Sequence, residues 1–417
     1  MIDFEGTNEE QGKMIKAVKD LVEDLLGEYD IDQLIAEMSK GKGIPMDMLM
    51  EVMPKVTGGE MSQYLNMFIS EEKSAFPIKL NNVRLLASML VDYSDKFGGI
   101  AKFLTPEFGI ARYGLTAMGF AAIASGPDGM NMVMNKYLPE MLNGNFIAYG
   151  ITEPDAGTNT HKISTTAVRE GDHYKLNGSK VFISAAKESK YMTVVAKIVS
   201  DGEYEGIGNF VIDSGSKGVS MAPMDIAVLG ENQYNVYFDD VIVPKENLIG
   251  KREKSKRTEI SGSVFASLNL ERIMVAMGMI AIGRIAFNRT VEYARQKKVS
   301  GSPIGSHQSI KHSLSKIKMK LELANIATKR ATEAYDARED PVVVGAYANM
   351  AKLVGTEAAD EACKVATLVY GANGLNKEND ISVLYQLTRL FRVAPINNEM
   401  VLNYLGEHLL GLPQSYR

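Results

Sequence analysis

The fold is decided by two stretches of sequence, YGITEPDAGT at Tyr149–Thr158 and KVFIS at Lys180–Ser184. The first stretch is predicted to form an apolar strand followed by a turn, because Pro restricts φ and Gly permits close backbone approach. The residues between the two stretches alternate in polarity, which is typical of β-strands. We expect turns at Glu170-Gly171-Asp172 and at Asn177-Gly178, the second because Asn-Gly is a strong hairpin signal.

These strands are predicted to bring several chemically distinct groups together. They are the hydroxyls of Thr152 and Ser184, the backbone of Gly157 and the ring of Phe182. Hydroxyls, backbone donors and a stacking ring suit a flat heteroaromatic cofactor with polar edges. An ordinary edge of a β-sandwich is the alternative interpretation of the same residues.

Composition excludes several classes of protein. A chain of 417 residues is expected to form two or three domains, and its net charge of −5 with no free-standing basic run does not indicate nucleic-acid or membrane-surface binding. Cys363 is the only cysteine, so no intrachain disulfide forms. The five histidines show no metal-ligand spacing, and we predict no metal site. The acidic N-terminal stretch has no apolar signal core, and we expect a cytoplasmic protein.

Periodicity divides the chain into three regions. Residues 1–145 are predicted to be mostly helical, and residues 146–252 to form strands. Residues 253–417 return to long helices, predicted at Leu268–Lys298, Gln308–Arg338, Pro341–Tyr370 and from Ile381 onward. This order predicts an α+β protein, mostly α, with a sheet packed between helical regions.

Several stretches from about residue 126 to the end resemble, in the same order, signatures of the acyl-CoA dehydrogenase family of flavoproteins. They are TEPDAGT, NGSKVFIS, YFDDVIVPKENLIG, YARQKKVSGSPIGSHQSI and EHLLGLP. The resemblance implies an N-terminal helical domain, a middle antiparallel β-barrel-like domain and a C-terminal four-helix bundle. It also implies a homotetramer or homodimer that binds FAD, acts on an acyl-CoA and passes electrons to an electron-transfer flavoprotein.

The resemblance also implies which residues bind the cofactor. Those implied to line or flank the flavin are Tyr149, Ile151, Thr152, Gly157, Thr158, Phe182 and Ser184, with the serine hydroxyl near N5. Those implied elsewhere along FAD, including the pyrophosphate at a subunit boundary, are Lys297, Gln308, Leu368, Gly371, Ala372, Asn397 and Glu399.

The chain departs from the family pattern at two of these positions, Lys297 and Ala372, and at Ser300. Lys297 replaces an arginine and keeps the charge without the bidentate fork. Ser300 replaces a phenylalanine, and Ala372 replaces a glycine. The segment from Gly371 to Gly374 is alternatively a plain helix C-cap.

The resemblance places the catalytic base on a bundle helix. Many family members carry a glutamate just before the last helix, but this chain has Pro395 there, and proline cannot accept a proton. A second arrangement in the family uses an L-x-L-E-R stretch, which LNLERI resembles, so that Glu271 becomes the predicted base. The alternative is a surface or helix-cap glutamate paired with Arg272.

Pro395 has a second consequence. At that position the family uses a backbone N–H to polarise the thioester carbonyl, and proline has none. Either Ile396 donates instead, or the reaction departs from ordinary dehydrogenation. The substrate-binding residues implied by the resemblance are Thr158, Arg272, Pro395 and Ile396.

Three functions are compatible with these residues. The first is FAD-dependent oxidation of an acyl-CoA to the 2-enoyl-CoA, with Glu271 removing the α-proton. The second is the reverse reaction, an enoyl-CoA reductase acting on an unusual thioester. The third is a non-catalytic flavin-binding or assembly subunit, a hypothesis that Pro395 and Ser300 motivate.

Overall fold

A computed structural model describes residues 7–28, 79–91, 133–137, 147–159, 162–226, 230–251, 262–376 and 379–415. Within the N-terminal region it shows helix α1 at Glu9–Glu28, helix α2 at Leu80–Leu90 and a π-helical turn at Val133–Tyr137. The rest of the predicted N-terminal helical domain lies outside the described residues. In the residues that are described, no helix is long and apolar enough to cross a membrane.

The middle region forms an eight-stranded sheet. Its strands are β1 Ile147–Gly150, β2 Thr166–Glu170, β3 His173–Ser184, β4 Tyr191–Ser200, β5 Glu203–Asp213, β6 Val219–Ile226, β7 Gly230–Pro244 and β8 Leu248–Lys251. The strand order is β6-β7-β3-β2-β4-β5-β8, and β1 pairs with β4. Pairing is antiparallel except that β1 and β2 both run parallel to β4. One face is a continuous apolar core that includes Leu176, Met192, Phe210 and Val236.

The turn predicted at Glu170-Gly171-Asp172 is confirmed, but the hairpin predicted at Asn177-Gly178 is wrong. Strand β3 runs straight through Asn177-Gly178, with a register shift against β7 at this point. Gly178 has φ +142°, and a Cβ there would lie 2.6 Å from the Thr165 hydroxyl oxygen. The side chain of Asn177 exchanges two 2.9 Å hydrogen bonds with Asp240. Gly178 therefore lies in a β-bulge, where the close approach of Thr165 requires a glycine, and not in a turn.

The C-terminal region is helical, as predicted. Its helices are α3 Gly262–Gln296, α4 Gln308–Asp336, α5 Pro341–Tyr370, α6 Ile381–Val393 and α7 Asn398–Leu409. Short strands β9 Lys298–Val299 and β10 Ser302–Pro303 form a hairpin between α3 and α4. Helix α5 begins at a proline, and the Asp340 side chain caps it by accepting from the Val342 N–H at 2.8 Å.

Close contacts between helices hold the bundle together. A Cβ added at Gly283 of α3 would lie 2.7 Å from Leu321 on α4 and 3.0 Å from the Ala359 Cα on α5, so only glycine permits this approach. Asp360 of α5 accepts from Arg389 at 2.9 Å and ties α6 to the bundle. The predicted class is confirmed: a mostly helical α+β chain in which a sheet region precedes a helical region.

Candidate functional site

The turn after β1 lies directly against the end of β3. The Val181 N–H donates to the Thr152 carbonyl at 2.9 Å, which joins the two stretches that the sequence singled out. Phe182 follows with φ 59° at a register shift, and its side chain is 56% exposed. A non-glycine residue with positive φ is uncommon, and the bulge turns its ring out of the sheet. A flat face is thereby presented beside the turn.

A buried ion pair holds the turn after β1 in place. The Lys180 ammonium lies 2.7 Å from the Glu153 carboxylate, and both side chains are almost fully buried. Lys180 also donates to the Ile151 carbonyl at 3.1 Å. Glu153 accepts further hydrogen bonds from the Ser164 hydroxyl at 2.7 Å and the Thr165 N–H at 3.0 Å. Burial opposes ionisation, but these hydrogen bonds and the Lys180 charge lower the pKa of Glu153 to about 2, so it stays ionised.

Ser184 ends β3 with its hydroxyl held from one side. Gln233 of β7 donates its side-chain N–H to the Ser184 Oγ at 2.6 Å, and the two residues are partners in the β3–β7 ladder. Gln233 is buried, whereas Ser184 is half-buried. The hydroxyl therefore has a fixed partner on the protein side and remains accessible on the other.

The turn before α7 connects the sheet to the bundle. The Asn397 side chain caps α7 by accepting from the Met400 N–H at 2.8 Å, and its amide donates to the Thr158 hydroxyl at 3.1 Å. Lys352 of α5, fully buried, donates to the Ile396 carbonyl at 2.6 Å and to the Asn398 side chain at 2.8 Å. The Ile396 N–H has no hydrogen-bond partner among the described residues. This donor is therefore available beside a turn whose carbonyl side is fixed.

Glu271 lies on α3 with its carboxyl group enclosed. The residue is half-buried as a whole, but its Oε2 is buried and has no hydrogen-bond partner in the described part of the chain. Burial raises the pKa of Glu271 to about 8, although the nearby charges of Arg272 and Lys352 oppose that rise. A carboxyl group with a pKa near neutrality suits general acid–base chemistry.

Arg272 is used in the packing of the bundle. Its Nε donates to the Leu268 carbonyl at 2.9 Å and its Nη1 donates to the Asn349 side chain at 2.8 Å. Arg272 is buried, and no ion pair between it and Glu271 occurs among the described contacts. The guanidinium thus fixes α3 against α5 and acts on the neighbouring carboxylate through its charge, without a described hydrogen bond between the two.

The remaining predicted cofactor residues lie on exposed surface at the ends of helices. Lys297 follows α3 and accepts from the Ile304 N–H at 2.8 Å, while Gln308 begins α4. Gly371, with φ 60°, ends α5, and Ala372 is exposed in the short 3₁₀ turn after it. This geometry is that of a helix C-cap, the alternative given for the segment. Leu368 is 71% exposed, which leaves an uncovered apolar side chain beside the cap.

The structure therefore brings two groups of the predicted residues together. Tyr149 is buried on β1, and the turn through Thr158 meets both the Phe182 bulge and Asn397. Glu271 lies near Lys352, which holds the turn containing Pro395 and Ile396. The charge of the exposed Glu399 acts on Lys352 of the second group, but no described contact joins Lys297, Gln308, Leu368 or Gly371 to either group.

Sequence reasoning missed three supporting residues: Glu153, Gln233 and Lys352. Lys180 stands in a strand at a position that alternation assigns to the core, which was the one available signal for its buried partner. Gln233 and Lys352 contact residues 49 and 44 positions away, and no local pattern reveals such partners.

The site fits a flat cofactor on its own geometry. An exposed ring at Phe182 and a half-buried hydroxyl at Ser184 lie at the end of β3, and the turn containing Gly157 is hydrogen-bonded to this end. A Cβ at Gly157 would meet no described residue within 4 Å. This arrangement offers a stacking surface, a polar donor and a closely approachable backbone. Those are the features that an isoalloxazine ring requires.

Comparison with known proteins agrees with this geometry. The profile described as the acyl-CoA dehydrogenase middle domain matches residues 148–241, and the C-terminal domain profile of the same family matches residues 262–410. These ranges correspond to the sheet and to the bundle.

Two relatives and one solved structure illustrate the likeness. The chain is 38% identical to acyl-CoA dehydrogenase FadE12 of Mycobacterium tuberculosis (strain H37Rv) over 67% of its own length and 72% of that protein. It is 30% identical to the caffeyl-CoA reductase–Etf complex subunit CarC of Acetobacterium woodii over 65% of its length and 71% of CarC. A glutaryl-CoA dehydrogenase of Mycobacterium smegmatis in complex with FADH2 superimposes with a TM-score of 0.73 at 17% identity, covering 99% of this chain and 97% of that one. The chain belongs to the acyl-CoA dehydrogenase family.

Proposed function

We propose that the protein is an FAD-dependent oxidoreductase that converts an acyl-CoA thioester to the 2-enoyl-CoA, with Glu271 as the base. The family supports the reaction class and the cofactor. The observation that carries the assignment of the base is the enclosed carboxyl group of Glu271, which has no hydrogen-bond partner among the described residues and a pKa raised to about 8.

The flavin is assigned to the edge formed by the turn at Thr152–Thr158 and the bulge at Phe182. When bound, FAD supplies the hydride acceptor for the β-carbon. Phe182 would stack on the ring, and the hydroxyl of Ser184 would donate to it. The buried Glu153–Lys180 pair fixes the turn, so these groups are held in place before the cofactor arrives.

The proton chemistry is assigned to two segments of the bundle. Glu271 takes the α-proton onto its carboxylate, and the Oε2 has no competing hydrogen bond from any described residue. With Pro395 at the usual donor position, we assign the Ile396 N–H, which has no partner in the described part of the chain, as the donor to the thioester carbonyl. Lys352 keeps this turn in position through the Ile396 carbonyl.

The reaction should accelerate as the pH rises. The base must be ionised, and burial raises the pKa of Glu271 to about 8, so only a minority is ionised at neutral pH. We expect the rate of flavin reduction by a saturated acyl-CoA to rise through about pH 8, where half of the base is ionised, and to level off near about pH 9. Rapid mixing across about pH 6 to about pH 10 measures this. A rate that stays constant over this range would contradict the assignment.

We further propose a homo-oligomer, either a dimer or a tetramer, with an electron-transfer flavoprotein as electron acceptor and a cytoplasmic location. Three exposed apolar side chains, Met319, Leu323 and Ile326, follow one face of α4 at helical spacing and favour a subunit contact there. The name of the CarC relative includes an Etf complex, which supports the choice of acceptor. We propose domain boundaries near residues 145 and 252.

Replacing Leu323 with lysine should weaken the oligomer. A charge in the centre of the α4 face would be desolvated on association, which is unfavourable. We expect light scattering after gel filtration to show a smaller assembly for Leu323→Lys than for the unsubstituted protein. Ile242→Lys changes an equally exposed apolar residue in the sheet and serves as the control. Dissociation by both variants, or by neither, would argue against this face as the contact.

The second candidate is the reverse reaction, reduction of a 2-enoyl-CoA. It is favoured by the 30% identity to CarC, a subunit of a caffeyl-CoA reductase. Assays in both directions with a panel of saturated and unsaturated thioesters separate the two functions. We expect the saturated substrates to reduce the flavin. Turnover only with an enoyl-CoA and a reduced electron carrier would select the reductase. A protein that neither contains FAD nor takes it up on reconstitution would contradict both.

A further inference from the structure

The hydrogen bond between Gln233 and Ser184 restricts what the serine hydroxyl can do. A hydroxyl has one hydrogen to donate and two lone pairs that accept. At 2.6 Å the Gln233 amide N–H occupies a lone pair of the Ser184 Oγ, and an amide N–H cannot accept in return. The single hydroxyl hydrogen is therefore left to point away from Gln233, toward the accessible side.

We propose that Gln233 is a positioning residue that makes the Ser184 hydroxyl a donor toward flavin N5. This inference rests on the proposed function, which puts the flavin on the accessible side of Ser184. Without Gln233 the hydroxyl could rotate, and its hydrogen could point away from N5, which carries only a lone pair in the oxidised flavin. With Gln233 in place, the Ser184 Oγ accepts from the Gln233 amide, and the hydroxyl hydrogen is left to donate to N5.

The surroundings hold both side chains still. Gln233 and Ser184 are direct partners in the β3–β7 ladder, so their side chains lie on the same face of the sheet. Gln233 is 3% exposed, and the adjacent Ile183 and Tyr234 are also buried. The Tyr234 hydroxyl donates to Glu188 at 2.8 Å, which closes the same end of the ladder with a second hydrogen bond. A contact built into paired strands is maintained independently of the cofactor.

Three substitutions test the proposal in protein reconstituted with ¹⁵N-labelled FAD. Gln233→Glu presents only acceptors when ionised and should capture the Ser184 hydrogen. Gln233→Met removes the polar group at similar length and leaves the hydroxyl free to rotate. Ser184→Ala removes the hydroxyl and defines the full effect. The primary measurement is the N5 chemical shift, which reports hydrogen bonding, accompanied by the flavin reduction potential and the rate of flavin reduction.

We expect Gln233→Glu to move the N5 signal to the position seen with Ser184→Ala, and Gln233→Met to give an intermediate shift. Flavin reduction should slow about tenfold in Gln233→Glu, the size expected for losing one hydrogen bond. Because a new carboxylate also alters the potential by its charge, the substitution is repeated in the Ser184→Ala background. There Gln233→Glu should change N5 little, since no hydroxyl remains to be reoriented.

Two results would overturn the inference while leaving the proposed function intact. One is a native N5 signal in Gln233→Glu while Ser184→Ala shifts it. The other is a native N5 signal in Ser184→Ala itself. Failure of the unsubstituted protein to bind FAD would instead remove the proposed function, and this inference with it.

Discussion

Replacing Glu271 with glutamine is expected to lower turnover about a thousandfold, because general base catalysis typically contributes between about 10² and 10⁴ in rate. Glutamine keeps the shape of the side chain but cannot accept a proton. The Glu271 Oε2 has no hydrogen-bond partner among the described residues, so the substitution disrupts no described hydrogen bond. It also removes a carboxylate that is unfavourable to bury when ionised. The variant should therefore fold, retain FAD and be no less stable than the parent.

The comparison requires steady-state rates, the FAD content and the urea midpoint of each protein. Glu292→Gln is the matched control, since Glu292 lies on the same helix with its side chain 55% exposed. Its turnover should stay within about twofold of the parent, the range expected for a surface substitution. Full turnover by Glu271→Gln would show that another group is the base.

Breaking the buried Glu153–Lys180 pair should lower the free energy of unfolding far more than breaking an exposed ion pair. Removing one partner leaves the other as a buried charge without its counterion, which typically costs about 3–5 kcal/mol. We expect Lys180→Met to reduce the free energy of unfolding by about that amount and to reduce FAD retention, because Lys180 also holds the Ile151 carbonyl at the turn. Adding Glu153→Gln to Lys180→Met should restore part of the loss, since the unpaired carboxylate is then gone.

Urea denaturation of the two single variants and the double variant measures this coupling. The exposed pair between Lys175 and Glu170, 3.1 Å apart, is the control, and Lys175→Met should cost less than about 1 kcal/mol. If Lys180→Met lowers the free energy of unfolding no more than Lys175→Met does, the role given to the buried pair is wrong.

The same pair predicts how stability changes in acid. The pKa of Glu153 is about 2 in the folded protein, compared with an ordinary value of 4.5. Its contribution to stability is therefore fully present above about pH 4.5 and is lost as the pH falls toward 2. Lys180→Met should flatten this part of the stability curve.

Local patterns predicted the elements whose stability is local. The three long helices α3, α4 and α5 were predicted from apolar periodicity, because each presents a stripe to the bundle, and their ends carry recognisable signals such as Asp340-Pro341 and Gly371. The region predicted to be helical from Ile381 onward contains two shorter helices, α6 and α7. The turn at Gly171 was predicted because Glu170-Gly171-Asp172 is a local turn signal that needs no distant contact. The hairpin at Asn177-Gly178 was not formed because contacts with Thr165 and Asp240, distant in sequence, decide the conformation there.

The candidate site was predictable only in part. The signature stretches identified Phe182, Ser184 and Glu271, but they did not show which groups hold them. Glu153 supports the turn through donors up to 27 residues away, and Lys352 reaches the turn at Ile396 from another helix. These partners depend on strand register and helix packing, which a single sequence does not specify.

The most direct test of the central claim is anaerobic mixing of FAD-loaded protein with a series of saturated acyl-CoA thioesters, followed through the visible absorption band of the flavin. At least one thioester should bleach the band in the unsubstituted protein. The Glu271→Gln variant should bind the same thioester, but its flavin absorption band should not bleach. Bleaching of Glu271→Gln at the unsubstituted rate would contradict the claim that a carboxylate on the bundle helix takes the α-proton.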